Sequence, residues 1–461
     1  MLTKTKIQSK LKQILPKKNV LTTIEECYVY SQDGTNGVES KVLPDVVVFP
    51  ETIEEIQQIM SFANKHKIPV IARGAGTNLV GACIPVRGGI ILNFTKMDKI
   101  LEINKTNMTA RVQAGVVIGQ LQDKVSESGL FFPPDPSNLR VSTIGGAIAQ
   151  SAGGPKTFKY GTTKDYILGL KVVLANGQLM EVGVNTIKNA TGYHLEQLFI
   201  GSEGTLGIVV EATLKLIPKP ETTRVIMAYF DDVDSATNSV VKMIDANLYP
   251  STIDFMNKNT IETVEKFYKI GLNTSKEAAL IIEIDGFESS MDTQINRLKD
   301  VLETSQASDI VISYSQEEQD KLWTARRASF GATAKLSPDV VTNDMIVPRE
   351  NISKLVNGIN DICEKYSLKV CIVGHIGDGN IHPQIALDLN NPTEASNYEK
   401  AKSEFYKLTL KLNGVLSAEH GIGLEKKAFL SDSVSPLALE YMKKMKNVFD
   451  PNNILNPDKI F

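Results

Sequence analysis

The stretch LPDVVVFPETIEEIQQIMSFANKHKIPVIARGAGTNLVGA, residues 43–82, carries the reading of the fold. Val46 to Phe49 is a run of β-favouring residues. Thr52 and Glu55 have the spacing of a capping box, and Ile53, Ile56, Ile59, Met60 and Ala63 then recur along one helical face. IPVIA is a second strand, and it runs directly into Arg73-Gly74-Ala75-Gly76-Thr77-Asn78. Glycines in such a loop let backbone N–H groups converge on an anion and let a pyrophosphate approach without meeting Cβ atoms. A tight connection between elements would account for a single loop equally well. A Rossmann nicotinamide site does not fit: Leu79 stands where the third glycine of G-x-G-x-x-G belongs. Nor does an acidic residue end a following strand about twenty positions on.

Further loops of the same kind follow. FFPPDPSNLRVSTIGGAIAQSAGG (131–154) sets three prolines and four glycines around Ser142 and Thr143. KYGTTKDYILGLKVVLANGQLMEV (159–182) predicts a hairpin turning at Asn176-Gly177, and LFIGSEGTLGIVVEATLKL (198–216) joins another glycine loop to an apolar strand. Structural turns explain any one of these; a long, flat, diphosphate-bearing cofactor explains the ordered series.

Together these motifs resemble the FAD domain of the vanillyl-alcohol-oxidase superfamily. With the C-terminal motifs described below, the chain is similar to the branch containing glycolate oxidase, D-lactate dehydrogenase and D-2-hydroxyglutarate dehydrogenase. Within it the chain resembles the dehydrogenase subunit of complexes with an electron-transferring flavoprotein. The resemblance runs from about Tyr28 to the C-terminus. It implies an α+β fold, a vanillyl-alcohol-oxidase-type FAD-binding domain with an α/β cap containing an antiparallel sheet. The implied spans are an N-terminal extension over 1–44, the FAD domain over 45–220, the cap over 221–410, and a segment returning to the flavin over 411–461. The implied pyrophosphate loop is Arg73, Gly74, Ala75, Gly76, Thr77 and Asn78, followed by Gly81. Pro134, Asp135 and Ser137 match a second flavin loop, and Thr143, Gly145, Gly146 and Ala147 a third segment, with Gly153 and Gly161 nearby. Glu203, Gly204, Gly207 and Ile208 match the strand passing the adenine–ribose end, and Asn456 the approach to the flavin ring. Some members attach the flavin through a histidine in the first loop; Thr77 and Asn78 stand here, so a non-covalent FAD is expected.

After Pro218 and Pro220 the pattern becomes strand, helix, strand, as a smaller domain with helices on one side of an antiparallel sheet would read. In DKLWTARRASF (320–330), Arg326 lies in a helical run after the sole tryptophan. Surface arginines are usually solvated, yet a planar guanidinium also grips a carboxylate bidentately. The resemblance puts the substrate-carboxylate arginine at Arg326. It puts Phe330 and Thr342 where 2-hydroxyglutarate enzymes carry a threonine and a lysine for the distal carboxylate, which implies a short monocarboxylate such as lactate.

The chain has five histidines, and VGHIGDGNIH (373–382) places two of them seven residues apart. That odd spacing sends them to opposite faces of a continuous strand, so the glycines must fold the chain back before both imidazoles meet. Glu419, in SAEHGIG (417–423), completes a set of two imidazoles and a carboxylate suited to zinc or ferrous iron. Ordinary core or surface histidines are the alternative for an isolated H-x6-H. The resemblance puts a divalent metal, Zn2+ or Fe2+, on His375, His382 and Glu419; Gln384 departs from the asparagine common among relatives. Imidazoles as a class can accept protons near physiological pH, and His420 is the expected acceptor of the substrate's hydroxyl proton, with a purely orienting role as the alternative. His66 and His194 receive no role.

Composition narrows the remaining choices. At 461 residues more than one domain is expected, and a net charge of −3 offers no field for nucleic acid. Four cysteines without a C-x-x-C pair argue against an iron–sulfur cluster within the chain, so any clusters that carry single electrons are expected on another polypeptide. An electron-transferring flavoprotein is the expected partner, iron–sulfur subunits the alternative; direct use of oxygen or a quinone, and a flavin relay without its own substrate, are rival readings. The basic N-terminal stretch has no secretory core, and Ile7, Leu11, Ile14 and Leu15 predict a short amphipathic helix docked on the protein itself. No run reaches the length of a membrane span, and the cytoplasm is the expected location.

Overall fold

The computed structural model describes residues 2–38 and 41–461. It divides into two units: Met1–Gly153, Thr162–Lys219 and Glu419–Phe461 form one, and Gly154–Gly161 with Pro220–Ala418 form the other.

In the first unit the strands Val46–Val48, Ile90–Asn93 and Val70–Arg73 pair in parallel, in that order across the sheet. The helix Ile53–His66 makes the crossover. Thr52 opens it with the expected capping box, and Ile56, Ile59, Met60 and Ala63 are fully buried. Ile53, on the same predicted face, is only partly buried. A second, antiparallel sheet runs in the order Ile100–Asn104, Thr109–Gln113, Ile208–Lys215, Ile167–Val173, Leu179–Gly183. Its last two strands form the expected hairpin, with Gly177 at φ +87°. That φ is one an L side chain adopts only under strain.

Both ends of the chain belong to this unit. The helix Lys4–Ile14 buries Ile7 and Leu11 in the same core as Val46, Ile56 and Val70. At the other end Val70 N–H donates to Ile454 O at 2.7 Å and Asn456 N–H to Val70 O at 2.8 Å, so the C-terminal segment extends the edge of the parallel sheet.

The second unit is an antiparallel sheet of eight strands. Across it lie Ser308–Ile312, Thr222–Phe230, Ala278–Gly286, Thr252–Asn257, Lys369–His375, Asn380–Leu387 and Asp339–Thr342, with Met345–Ile346 also pairing on Asn380–Leu387. The expected strand–helix–strand repeat is present, with the helices Val233–Asp245 and Glu288–Thr304 following their strands. Residues 154–161 join this unit through paired charges. Lys156 and Lys159 bond the buried carboxylates of Glu283 and Asp285, and Tyr160 Oη donates to Asp285 Oδ2 at 2.7 Å. Among the described residues no helix is long and apolar enough to cross a membrane.

If the N-terminal helix is core rather than ornament, Leu11→Ala should cost about 2–5 kcal/mol of stability, the range for truncating a fully buried leucine. Urea unfolding should show a lower midpoint at unchanged slope; a loss under about 0.5 kcal/mol, the usual scale for surface substitutions, would make the helix peripheral.

Candidate functional site

The glycine loops of the first unit converge on one cleft. It encloses about 1230 Å³, part of it open to solvent. Its lining includes Arg73 to Asn78, Ser137, Thr143, Gly145, Gly146, Ala147, Glu203, Gly204, Gly207 and Ile208, together with Glu419 and His420. Glycine is required at two of these places for a plain steric reason. A Cβ on Gly76, which sits at φ +76°, would lie 2.0 Å from Arg73 Nη2; one on Gly145 would lie 2.8 Å from Ala114 Cβ. Thr143 accepts from Gly146 N–H at 3.2 Å and so opens the short helix Ile144–Gln150 beside the cleft. The Arg73 guanidinium is engaged by the protein itself, donating to Gln32 O at 2.6 Å and lying over the Tyr30 ring.

Six expected flavin residues do not line the cleft: Gly81, Pro134, Asp135, Gly153, Gly161 and Asn456. Several of them hold the residues that do. Asn456 donates from Nδ2 to Ala82 O at 2.9 Å and Glu203 O at 2.7 Å, tying the C-terminal segment to two loops at once. Gly81 donates to Thr35 Oγ1 at 2.7 Å, and Gly161 lies in the second unit. Gln150, on the cleft wall, is absent from the sequence expectation although the quoted 131–154 stretch contains it. Its Oε1 is buried without a hydrogen-bond partner among the described residues.

The buried carboxylate of Glu203 brings the final segment to this cleft. It accepts from Ile422 N–H at 2.7 Å and Gly423 N–H at 2.9 Å. Burial raises its pKa, and those two donors pull it back. A Cβ on Gly421, at φ +89°, would stand 2.2 Å from Gln150 Oε1, so only glycine lets the chain pass so close to that oxygen. Just before it, His420 O accepts from Asn78 Nδ2 at 3.2 Å, and His420 Nε2 lies 3.7 Å from Glu419 Oε1. Lys459 lies within the Coulombic reach of Glu203 and Cys83, two residues of the cleft wall; it donates to Ile84 O at 2.8 Å, and burial pushes its pKa down to about 8.

In the second unit the strands ending at His375 and beginning at Asn380 form a hairpin. His375 pairs with Asn380 and Val373 with His382, so the reversal puts both histidines on one face, at diagonal positions. Their ring centroids are 5.2 Å apart and both rings are buried. Gly379 permits the turn at φ +97°, where a Cβ would lie 2.1 Å from Val347 O. Asp378, in the same turn, has its pKa pushed up to about 6 by burial.

Two further carboxylates, neither expected from the sequence, stand behind the histidines. Asp254, fully buried on the neighbouring strand opposite His375, bonds His375 Nδ1 through Oδ1 at 2.6 Å. Its Oδ2 accepts from Arg326 Nε at 2.7 Å. Burial works to raise the Asp254 pKa, but His375 and Arg326 together hold it below the ordinary carboxylate value. Asp344, also fully buried, accepts from Asn380 Nδ2 at 2.8 Å, Ser417 Oγ at 2.6 Å and Ala418 N–H at 2.9 Å. Its Oδ1 lies 3.9 Å from His382 Nδ1. Ala418 directly precedes Glu419 in the chain. Phe330 is half exposed, and Thr342 pairs with Gln384 across the sheet.

Residues 44–183 match the family described as FAD binding domain, and residues 219–460 that described as FAD linked oxidases, C-terminal domain. The glycolate oxidase subunit GlcD of Bacillus subtilis (strain 168) is 41% identical over 433 residues, which cover 94% of this chain and 92% of that protein. The D-lactate dehydrogenase of Archaeoglobus fulgidus is 36% identical over 420 residues, 90% of this chain and 91% of that protein. The solved structure of p-cresol methylhydroxylase superposes with a TM-score of 0.84, covering 98% of this chain and 96% of that one; at 20% identity the likeness is one of fold. The chain belongs to the FAD-linked oxidases, and the expected α+β architecture is the one observed. The cleft suits that cofactor: glycines leave room for a close-lying diphosphate, and the unpaired Gln150 oxygen offers an acceptor to a bound N–H group.

The Lys459 shift has a measurable sign. Its folded pKa of about 8 lies below the ordinary 10.5, so between those values the unfolded chain binds more protons and this lysine's contribution to stability rises with pH. Thermal melts of wild type and Lys459→Met at pH 7 to 10 should therefore show the wild type gaining on the variant as pH climbs past 8. A difference independent of pH would mean that the ammonium is not desolvated.

Proposed function

We propose that the chain oxidises a short D-2-hydroxy acid, with D-lactate to pyruvate as the reaction, using FAD and a divalent metal, and passes the electrons to an electron-transferring flavoprotein. The observation that carries this reading is the cluster His382, His375, Asp254 and Arg326. Two buried imidazoles share one hairpin face, and a single carboxylate links one of them to an arginine. With Glu419, which follows the Asp344-bound Ala418, they make a donor set of two nitrogens and one oxygen that suits zinc or ferrous iron. The geometry at His375 agrees with that role, because a ring whose Nδ1 is bonded to Asp254 presents Nε2 as its ligand atom.

When bound, FAD supplies the two-electron acceptor and the divalent cation a Lewis acid. The protein's own part is orientation and proton handling. Arg326 holds the substrate carboxylate through its Nη edge. His420, on the cleft wall beside Glu419, accepts the hydroxyl proton as the C2 hydride leaves. Phe330 and Thr342 provide no cation for a second carboxylate, which favours lactate or glycolate over 2-hydroxyglutarate. The names of the two relatives, glycolate oxidase subunit and D-lactate dehydrogenase, support the same substrate class. The absence of a C-x-x-C pair from the sequence is what favours a second protein as carrier of the electrons.

Adding D-lactate anaerobically to the purified holoprotein should bleach the visible flavin band. An unchanged spectrum with D-lactate, glycolate and D-2-hydroxyglutarate would leave a relay without its own substrate. His420→Gln should slow bleaching by roughly 10²–10⁴-fold, the usual worth of a general base, with FAD and metal contents unchanged. Removal of metal by a chelator should stop reduction and re-addition of Zn2+ or Fe2+ restore it; full activity in protein shown to be metal-free would refute the ligand assignment.

A further inference from the structure

We infer that Asp254 is a positioning residue that sets two parts of the site with one carboxylate: the tautomer and direction of His375 through Oδ1, and the attitude of the Arg326 guanidinium through Oδ2. The inference rests on the reading of His375 as a metal ligand and Arg326 as the carboxylate-binding group.

The geometry is specific. Asp254 lies in the strand Thr252–Asn257, directly opposite His375 in the register of the adjoining strand, so the backbone pairing itself delivers the carboxylate to the imidazole. It is completely buried, and bonds of 2.6 and 2.7 Å to two different cationic or cation-forming partners consume one oxygen each. A carboxylate removed from water is retained only where such partners compensate it. An ionised Asp254 requires an N–H at His375 Nδ1, which leaves the Nε2 lone pair for a cation. Arg326, only 14% exposed, spends Nε on Asp254 and Nη1 on Ser329 Oγ at 3.3 Å. It makes no other hydrogen bond among the described residues, so its Nη2 side is the one an anionic substrate can take. Asparagine in place of Asp254 is nearly isosteric but offers one acceptor oxygen instead of two, and no charge. If Oδ1 keeps the Arg326 bond, Nδ2 meets His375 as a donor and selects the tautomer protonated on Nε2, the form that cannot ligate a cation there.

Four proteins test this: wild type, Asp254→Asn, Asp254→Asn with Arg326→Gln, and His375→Ala, each assayed as FAD holoprotein. The readouts are Zn2+ affinity by competition with a chromogenic chelator, FAD content, and separate KM and kcat for D-lactate. Asp254→Asn should weaken Zn2+ binding by roughly 10–100-fold, the usual effect of removing a carboxylate behind a metal-bound histidine, and raise KM more than it lowers kcat, while FAD content stays the same. The double variant removes the stranded guanidinium charge and keeps the test open if Asp254→Asn alone does not fold; its Zn2+ affinity should fall by the same factor. Wild-type Zn2+ affinity in either variant, with His375→Ala having lost the metal, overturns the role given to Asp254 and leaves the metal site standing. Unaltered Zn2+ binding in His375→Ala overturns the metal reading on which the inference is built.

Discussion

A carboxylate that leaves water must take hydrogen-bond donors with it, and in this protein that constraint joins distant parts of the chain. An ionised side chain in a low-dielectric interior costs far more than any single contact returns, so it is tolerated only among donors fixed by the fold. Glu203 meets the requirement with backbone N–H groups of residues 422 and 423. Asp254 meets it with His375 and Arg326, and Asp344 with Asn380, Ser417 and Ala418. Every one of these pairings spans more than thirty residues of sequence. Packing of apolar side chains forms the two units; the buried carboxylates tie together polar groups far apart in sequence within each.

The hairpin at residues 375–382 shows how strand parity and glycine cooperate. A continuous strand would have separated the histidines, and a reversal at Gly379 joins them. The reversal could be anticipated because glycine at a forced positive φ leaves a mark in the sequence that any neighbouring residue type would not. The same holds for the cleft loops, where Gly76 and Gly145 stand within van der Waals reach of Arg73 and Ala114. The capping box at Thr52 and the hairpin at Asn176-Gly177 were legible for a related reason: each is a local rule whose partners lie within a few residues.

Asp254, Asp344 and the strap at 154–161 left no such mark. Asp254 sits in STIDFM, which reads as an ordinary strand, and nothing in it reveals that two of its bonding partners lie 72 and 121 residues away. Lys156 and Lys159 likewise look like solvated surface charges, yet they pair with buried acids near residue 284. Gly161 and Asn456 show the other side of the same limit: Gly161 belongs to the second unit, and Asn456 lies off the cleft wall, bridging Ala82 and Glu203. A motif shows which residues are constrained. It does not show whether the constraint is contact with a ligand or with the residue that contacts it.

Arg326 illustrates what that distinction means for chemistry. A guanidinium can receive a carboxylate bidentately along its Nε–Nη2 side or its Nη1–Nη2 end. Asp254 takes Nε with one oxygen only, because its other oxygen is on His375. With Nε on Asp254 and Nη1 on Ser329, the proposed substrate carboxylate is left the Nη2 side of the guanidinium. Lysine could match the charge but not this restriction, since an ammonium on a flexible stem has no planar edge to fix. On the proposed role of Arg326, the orientation of the acid's C2 carbon would be set one layer below the substrate, by a carboxylate that need never touch it.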